Sequence, residues 1–400
     1  MGIGRTNDAP LRGGRRSALR AFCRRALSRL PPGERERERS RDIPYALSLS
    51  ALGALFFGTG VRQGWLSGEG APAGPILLAV SGGGDSTALL WLFRTFCEGR
   101  LVAAHFEHGI RGEESRQDAC FVEETARRWG IEAEIRRGDV PGSLRKGESL
   151  EAGARRLRYA FFERAAKKYG AWGVALGHNR EDAAETVLFH LLRGSGVRGA
   201  AGMPERRGIF FRPLLDCSRD FLRDVLRCRG IEWREDRTNA DLGYTRNFIR
   251  GKVMPLLESG VNARAAEHLA AFAKDLRFYR EEEEERGGAL LKSVEEGFAE
   301  EGFAEEDGTE ALWSARRGEV SALRAEERAI LFRAVGRRLG IPVLSRARVS
   351  ELARLAEGRA RFEFQWGKGV TVLGDGGRLL WVGPGPLSGV RGGAQDVTGE

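Results

Sequence analysis

Cysteine is scarce in this chain and never closely paired. Cys23, Cys97, Cys120, Cys217 and Cys228 make five in 400 residues, and no two stand as Cys-x-x-Cys. The odd count argues against a disulfide framework, and the spacing against a zinc ribbon or an iron–sulfur cluster. Reduced, buried thiols in a cytoplasmic protein are the simplest reading. Apolar runs are short as well. The stretch Pro44–Gly60 is interrupted by serines and glycines and falls below the ~20 residues a membrane helix needs. The Arg-rich region before it is too long for an ordinary signal peptide. Residues 1–70 are therefore expected to be an Arg- and Gly-rich, poorly ordered extension, with at most a helix packed on the domain beyond it. No internal repeat is found.

What is present suits a soluble protein of two or three domains, with 42% apolar and 30% charged residues. Lysine and arginine number 65 against 56 acids, a formal charge of +9, part of it local to the first 41 residues. A balance of this size suits a polyanionic partner.

From Gly74 to about Arg212, short apolar runs alternate with helical patterns. Strands are expected at Ile76–Val80, Leu101–His105, Ile131–Ile135, Val174–Gly177 and Ile209–Phe211. Helices are expected around 86–97, 113–130, 149–169 and 180–193. The alternation predicts an α/β fold, a parallel twisted sheet with helices on both faces. Helical and small α+β regions come after it. Residues 258–310 read as a helical linker, with Gly287, Gly288 and the acidic stretch Glu300–Asp307 as a hinge or surface excursion. Residues 311–385 read as a C-terminal domain with helices at Ser321–Leu339 and Ser345–Ala356 and a hairpin of Gly369–Leu373 with Arg378–Val382. Residues 386–400 read as a flexible tail.

The first chemical signal is Ser81-Gly82-Gly83-Gly84-Asp85-Ser86, between the Ile76–Val80 strand and a helix start. Glycines let the backbone approach a ligand, and a helix N-terminus favours negative charge, so a phosphate is the expected ligand. No Lys follows, which excludes the Walker A loop, and the glycine spacing excludes the Rossmann fingerprint. An acid beside phosphates suits Mg²⁺, and Asp85 stands there.

Four more clusters lie further along. His105-Phe106-Glu107-His108-Gly109-Ile110-Arg111 ends a strand. Its two histidines lack a third ligand nearby, so contact with nucleotide or substrate is the better reading than zinc. In Ser149–Tyr159, Leu150, Ala154 and Leu157 form a core stripe, while Arg155 and Arg158 share another face and would meet phosphates or simply solvent. In Leu176–Thr186, Glu181, Asp182 and Glu185 share one helical face near its N-terminus, either complementing the dipole or facing the crevice to bind Mg²⁺ or an amine. That helix ends at Arg193-Gly194-Ser195-Gly196. Last come Arg212-Pro213-Leu214-Leu215, Asp236-Arg237-Thr238-Asn239 and Arg246-Asn247-Phe248-Ile249-Arg250, suited to RNA backbone or to helix capping.

SGGGDS resembles the loop of the PP-loop ATP pyrophosphatases. With HGIR, EAGARRLRY, LGHNREDAAET, RGSG, RPLL, DRTN and RNFIR in this order, residues 74–257 resemble the tRNA(Ile)-lysidine synthase family; 311–383 resemble its first C-terminal domain more weakly. The resemblance implies an adenine nucleotide α-hydrolase-like, Rossmann-like catalytic domain over 71–257 and a tRNA-binding domain over 311–385. It implies a ligase that uses ATP and Mg²⁺ to join L-lysine to the wobble cytidine of tRNA(Ile) with a CAU anticodon, giving lysidine, AMP and pyrophosphate in the cytoplasm. ATP would be held by Ser81, Gly82, Gly83, Gly84, Asp85, Ser86, His105, Arg111 and His178, with Asp85 and Asp182 catalytic and binding the metal. Lysine or tRNA would meet Arg155, Arg158, Glu185, Arg193, Arg246 and Arg250. No stable membrane association is expected, and a homodimer is left open. A tRNA thiolase of the same superfamily, or a non-catalytic tRNA-binding protein, is the alternative. The chain departs from the family where His178-Asn179-Arg180-Glu181-Asp182-Ala183 replaces the usual His-His-x-Asp-Asp-Gln.

Overall fold

A computed structural model of the chain describes residues 23–39, 43–44, 47–65, 73–110, 112–235, 245–295, 309–341, 344–367 and 369–384. Arg111, the Asp236–Asn239 segment, Glu300–Asp307 and the expected tail lie outside these residues. The chain divides into two compact units, residues 1–195 with 199–274, and residues 196–198 with 275–400.

In the first unit, helices α1 (Pro32–Arg39) and α2 (Leu49–Gln63) precede an alternation of strand and helix. It runs β1 (Ile76–Ala79), α3 (Gly84–Phe96), β2 (Leu101–Glu107), α4 (Glu113–Arg128), β3 (Glu132–Arg137), α5 (Leu150–Tyr169), β4 (Gly173–Leu176) and α6 (Arg180–Leu192). The short strands β5 (Arg206–Arg207) and β6 (Phe210–Phe211), and helix α7 (Arg219–Arg227), come next. The sheet order is β3-β2-β1-β4-β6-β5. Every pairing is parallel except that of β5 with β6, so the expected parallel sheet carries one antiparallel edge. The order of strand addition reverses between β1 and β4, which makes the crevice beyond their carboxyl ends the place for a ligand.

Both sheet faces are covered, as a parallel sheet requires. Ile76, Leu78, Ala103 and Ala175 pack with α3 and α7. Leu77, Val102, Val174 and Leu176 pack with Phe161, Phe162 and Ala165 of α5 on the other side. Helix α3 buries residues all round its circumference, including Leu89, Trp91, Phe93 and Phe96. Such a helix needs cover on its outer side too. The N-terminal region supplies it: Ala26, Leu30, Leu52, Phe56 and Trp65 are buried in the same core. Phe56 stacks within 4.6 Å of Trp65 and 5.0 Å of Phe93 between ring centroids. The expectation of a poorly ordered extension therefore fails for residues 23–39 and 47–65, because they are the cover that α3 requires. Among the described residues no helix is long and apolar enough to cross a membrane.

Beyond α7, α8 (Thr245–Phe248) leads through a π-helical turn, Ile249–Val253, into α9 (Met254–Gly260), which precedes the long helix α10 (Ala265–Val294). The boundary between the units falls inside α10, within the stretch expected to be a linker. Gly287 and Gly288 continue the helix rather than hinge it. A Cβ on Gly287 would lie 3.0 Å from Ala334 Cβ, so the glycine permits close approach of α12 (Ala325–Arg338). The second unit adds β7 (Thr309–Arg316), α11 (Arg317–Ala322), α13 (Arg346–Glu357), β8 (Phe362–Gly367), β9 (Val370–Gly374) and β10 (Arg378–Pro384). Its antiparallel sheet has the order β7-β10-β9-β8. The expected hairpin is β9–β10; β7 and β8 extend it. Trp313, Trp366, Trp381 and Phe332 form the centre of its core.

Candidate active site

The glycine loop is built to leave amides free. Helix α3 begins after Gly83, which as N-cap offers no side-chain acceptor, so the first-turn N–H groups point out uncapped. Gly82 has φ +91°, a conformation that requires glycine. The loop is stapled from within. Ser86 Oγ accepts from the Ser81 amide at 3.1 Å and donates to the Gly83 carbonyl at 3.0 Å, and Thr87 Oγ1 donates to the Gly82 carbonyl at 3.2 Å. From outside, the Arg234 amide donates to the Gly82 carbonyl at 2.9 Å. The Trp233 ring stands 3.5 Å from where a Gly84 Cβ would be.

Asp85 is the loop's acid. Burial, and then the charge of Asp182, pushes its carboxyl up to about 6. Asn179 Nδ2 donates to its Oδ2 at 3.0 Å, while its Oδ1 is buried without a hydrogen bond. Asn179 is also the N-cap of α6. Its Oδ1 accepts the Asp182 amide at 2.8 Å, and Asp182 Oδ2 accepts the Asn179 amide at 3.1 Å, a reciprocal capping box. The residue that departs from the family pattern thus ties the two acids together.

The acids on α6 are already engaged. Arg250 Nη2 donates to Asp182 Oδ1 at 2.5 Å, and Arg250 bonds both oxygens of Glu185, at 2.7 and 2.9 Å. Arg219 stands 3.9 Å from Asp85, 3.7 Å from Asp182 and 3.5 Å from Glu185. Arg246 lies 3.7 Å from Glu185 and donates to Thr186 Oγ1 at 3.0 Å. Glu181 accepts the Arg219 amide at 2.8 Å. Burial opposes ionisation of Asp182, yet the guanidinium groups of Arg250, Arg246 and Arg219 hold its carboxyl below the ordinary range. Beside it, burial holds His178 down to about 3, so its ring is neutral; its Nδ1 is buried and makes no hydrogen bond.

Magnesium accordingly fits Asp85 better than Asp182. Asp85 Oδ1 makes no hydrogen bond, whereas both oxygens of Asp182 are taken. Among the described residues no group of three or more His, Cys, Asp or Glu is arranged to hold a metal, so ligand oxygens would have to complete the coordination.

Several expected site residues make contacts within the protein. His105 is buried, and its Nδ1 lies 2.8 Å from the Val80 carbonyl, so it braces β2 against the start of the loop. Burial lowers its pKa and keeps it neutral. Arg246 and Arg250 turn inward to carboxylates. Ser86 spends its hydroxyl on the loop itself. Arg193 caps the far end of α6 against the Phe189 ring, ~16 Å of helix from Asp182. Arg155 stacks on Tyr159 at 4.8 Å, and Arg158 lies half-buried beside it. Arg219, Arg234 and Trp233 carry no motif that would single them out in the sequence. Only Ser218, a cap accepting the Phe221 amide, marks where α7 and Arg219 begin.

A family model described as a PP-loop domain matches residues 65–257. Over 206 residues the chain is 47% identical to a tRNA(Ile)-lysidine synthase of Thermus thermophilus, covering 51% of this chain and 39% of that one. It is 43% identical over 187 residues to a tRNA(Ile)-lysidine synthase of Thermotoga sp., covering 46% and 45%. It is 41% identical over 187 residues to one from Chlorobaculum tepidum, covering 46% and 56%. The chain thus spans about half the length of the curated relatives it matches.

Proposed function

We propose, from the premise that residues 65–257 are a PP-loop domain of the kind tRNA(Ile)-lysidine synthases carry, that this protein is an ATP-dependent ligase. It joins L-lysine to C2 of the wobble cytidine of a tRNA(Ile) with a CAU anticodon. The observation that carries the reading is the Asn179 bridge, which sets the glycine-loop acid Asp85 beside the acidic face of α6. An anion cradle and a cation-binding face then share one crevice at the sheet's switch point.

The uncapped N–H groups of Gly84, Asp85 and Ser86 bind the phosphates of ATP. Asp85, through its Oδ1, would hold Mg²⁺, and the ion would supply neutralisation of the charge that develops on pyrophosphate. The cytidine O2 attacks the α-phosphorus, the α–β bond breaks, and an adenylated base results. The lysine side-chain amine then forms the bond to C2 and expels AMP, losing a proton in the process. Glu185 and Asp182 orient the amine once it displaces part of the Arg250 contact, and neutral His178 offers a ring nitrogen to a bound ligand. The base must leave its stack to reach this crevice. Arg155 and Arg158 meet the RNA backbone, and residues 311–385 supply further grip on the tRNA.

The test is transfer of labelled lysine to unmodified tRNA(Ile) with a CAU anticodon. ATP-dependent incorporation, absent with a methionine tRNA of the same anticodon, is expected. AMP formation stimulated by tRNA without lysine incorporation would overturn the lysine assignment and leave adenylation.

A further inference from the structure

Glu38 and Arg229 form an ion pair whose side chains are only 3% and 4% exposed. The pair is bidentate, with Arg229 Nε 2.6 Å from Glu38 Oε1 and Nη2 2.9 Å from Oε2. Arg229 also donates to the carbonyls of Leu47 at 2.9 Å and Val225 at 3.0 Å, and stacks 4.2 Å from the Trp91 ring centroid. One guanidinium thus joins the N-terminal region, α7 and α3. In return, Arg37 of α1 donates to the Arg229 carbonyl.

The pair does more than close a surface. Arg229 begins the segment that ends at Arg234, whose amide bonds the Gly82 carbonyl and which bridges to Gly83 in parallel register. Trp233 of the same segment lies against Gly84. Beside α1 is a partly open cavity of about 180 Å³ lined by Glu34, Arg37, Arg128 and Glu232 as well as by Trp91 and Phe121. Charged groups share its wall with the aromatic rings, so apolar contact alone does not fix residues 229–232, and the ion pair supplies the anchor. Phe121, on the cavity wall, also lies 3.5 Å from where a Gly82 Cβ would stand. Glu38 lies outside the stretch matched by the PP-loop family model, and Arg229 inside it.

We propose that Glu38 and Arg229 are positioning residues for the glycine loop: the N-terminal helix α1 holds the 229–234 segment, which in turn fixes the backbone of Gly82 and Gly83 for phosphate. A loop aligned from behind needs its supporting shell held as firmly as itself. The inference rests on the loop binding nucleotide, as proposed above.

The test uses the full chain and two measurements, ATP affinity by titration calorimetry and amide exchange of residues 231–235. In Glu38→Gln, ATP binding is expected to weaken about five- to twentyfold. The Arg234 amide should exchange faster while secondary structure by circular dichroism is unchanged. Should Glu38→Gln fail to fold because it leaves Arg229 buried and unpaired, the double variant Glu38→Met with Arg229→Met removes both charges and is the better tolerated form. Weakened ATP binding in the folded double variant supports the proposal. Wild-type affinity in either folded variant overturns it, since a purely structural pair would lower thermal stability and leave affinity alone. If wild type itself binds no ATP, the nucleotide reading fails, and exchange at Arg234 still decides: unchanged exchange overturns the positioning role.

Discussion

Asn179 donates from Nδ2 to Asp85 at 3.0 Å while its Oδ1 caps the Asp182 amide at 2.8 Å. One amide group therefore serves two helix N-termini, and the two duties are separable. Asn179→Ser keeps a capping oxygen but cannot reach Asp85; Asn179→Ala loses both. We expect Asn179→Ala to cost about 1 kcal/mol in denaturant melts and Asn179→Ser only a few tenths. Both should lose at least about tenfold in ATP turnover, the loss expected from ~1.4 kcal/mol of misorientation. Wild-type turnover in Asn179→Ser would show that Asp85 is held without this bond.

Asp85 carries a stability penalty that chemistry would explain. Burial lifts its folded pKa to about 6, above the ordinary 3.8. The native state therefore binds more protons than the unfolded chain between those values. Stability from this group is full below pH ~4 and is lost as pH rises through ~6. Asp85→Asn removes the penalty. In metal-free buffer at pH ~7.5 it should stabilise the protein by roughly 1–3 kcal/mol, and at pH ~4 it should match wild type. It should also abolish adenylation. An Asp85→Asn variant no more stable than wild type at the higher pH would mean that the carboxylate is well solvated.

The strand–loop–helix unit is legible in the sequence because its signals are local: Ile76–Ala79, three glycines, then an apolar helix. The acids of α6 are legible as one face, from their spacing. What they touch is not, since Arg219 and Arg250 arrive from segments far along the chain, and hydrogen-bond partners across such distances leave no periodic trace. Asn179 stands out only as a departure, and its double role needs coordinates. The cover over α3 leaves a sign that can be read. Leu89-Leu90-Trp91-Leu92-Phe93 and Phe96 leave the helix no polar face, so a second apolar layer is required, and the apolar Pro44–Gly60 stretch is the available one.

Arg250 compensates two buried acids at once. Glu185 is 2% exposed and Asp182 is nearly as deep, so Arg250→Met leaves two carboxylates near each other with only Arg219 and Arg246 at longer range. A loss of about 3–5 kcal/mol is expected. Arg250→Lys keeps the charge but cannot make the planar two-oxygen contact with Glu185, and should recover no more than half of that loss. Equilibrium urea unfolding reads both. A near-neutral Arg250→Met would show that Arg219 and Arg246 compensate the two acids without it.

Removing residues 1–65 tests whether the N-terminal helices belong to the catalytic domain. All the chemical motifs lie beyond them, and on sequence alone the region looks dispensable. Leu52, Phe56 and Trp65 are each at most 3% exposed against α3, and each contributes roughly 1.5–3 kcal/mol by burial. Together they approach the whole stability of an ordinary domain, about 5–15 kcal/mol. Their loss would also bare Phe93 and Phe96 on the helix that begins at the glycine loop. The truncated protein is expected to be insoluble or to melt without a cooperative transition, and to bind no ATP. A truncated chain that stays monomeric, melts cooperatively and keeps wild-type ATP affinity would show that α3 can be covered from elsewhere, and would sever the link from Glu38 to the loop as well.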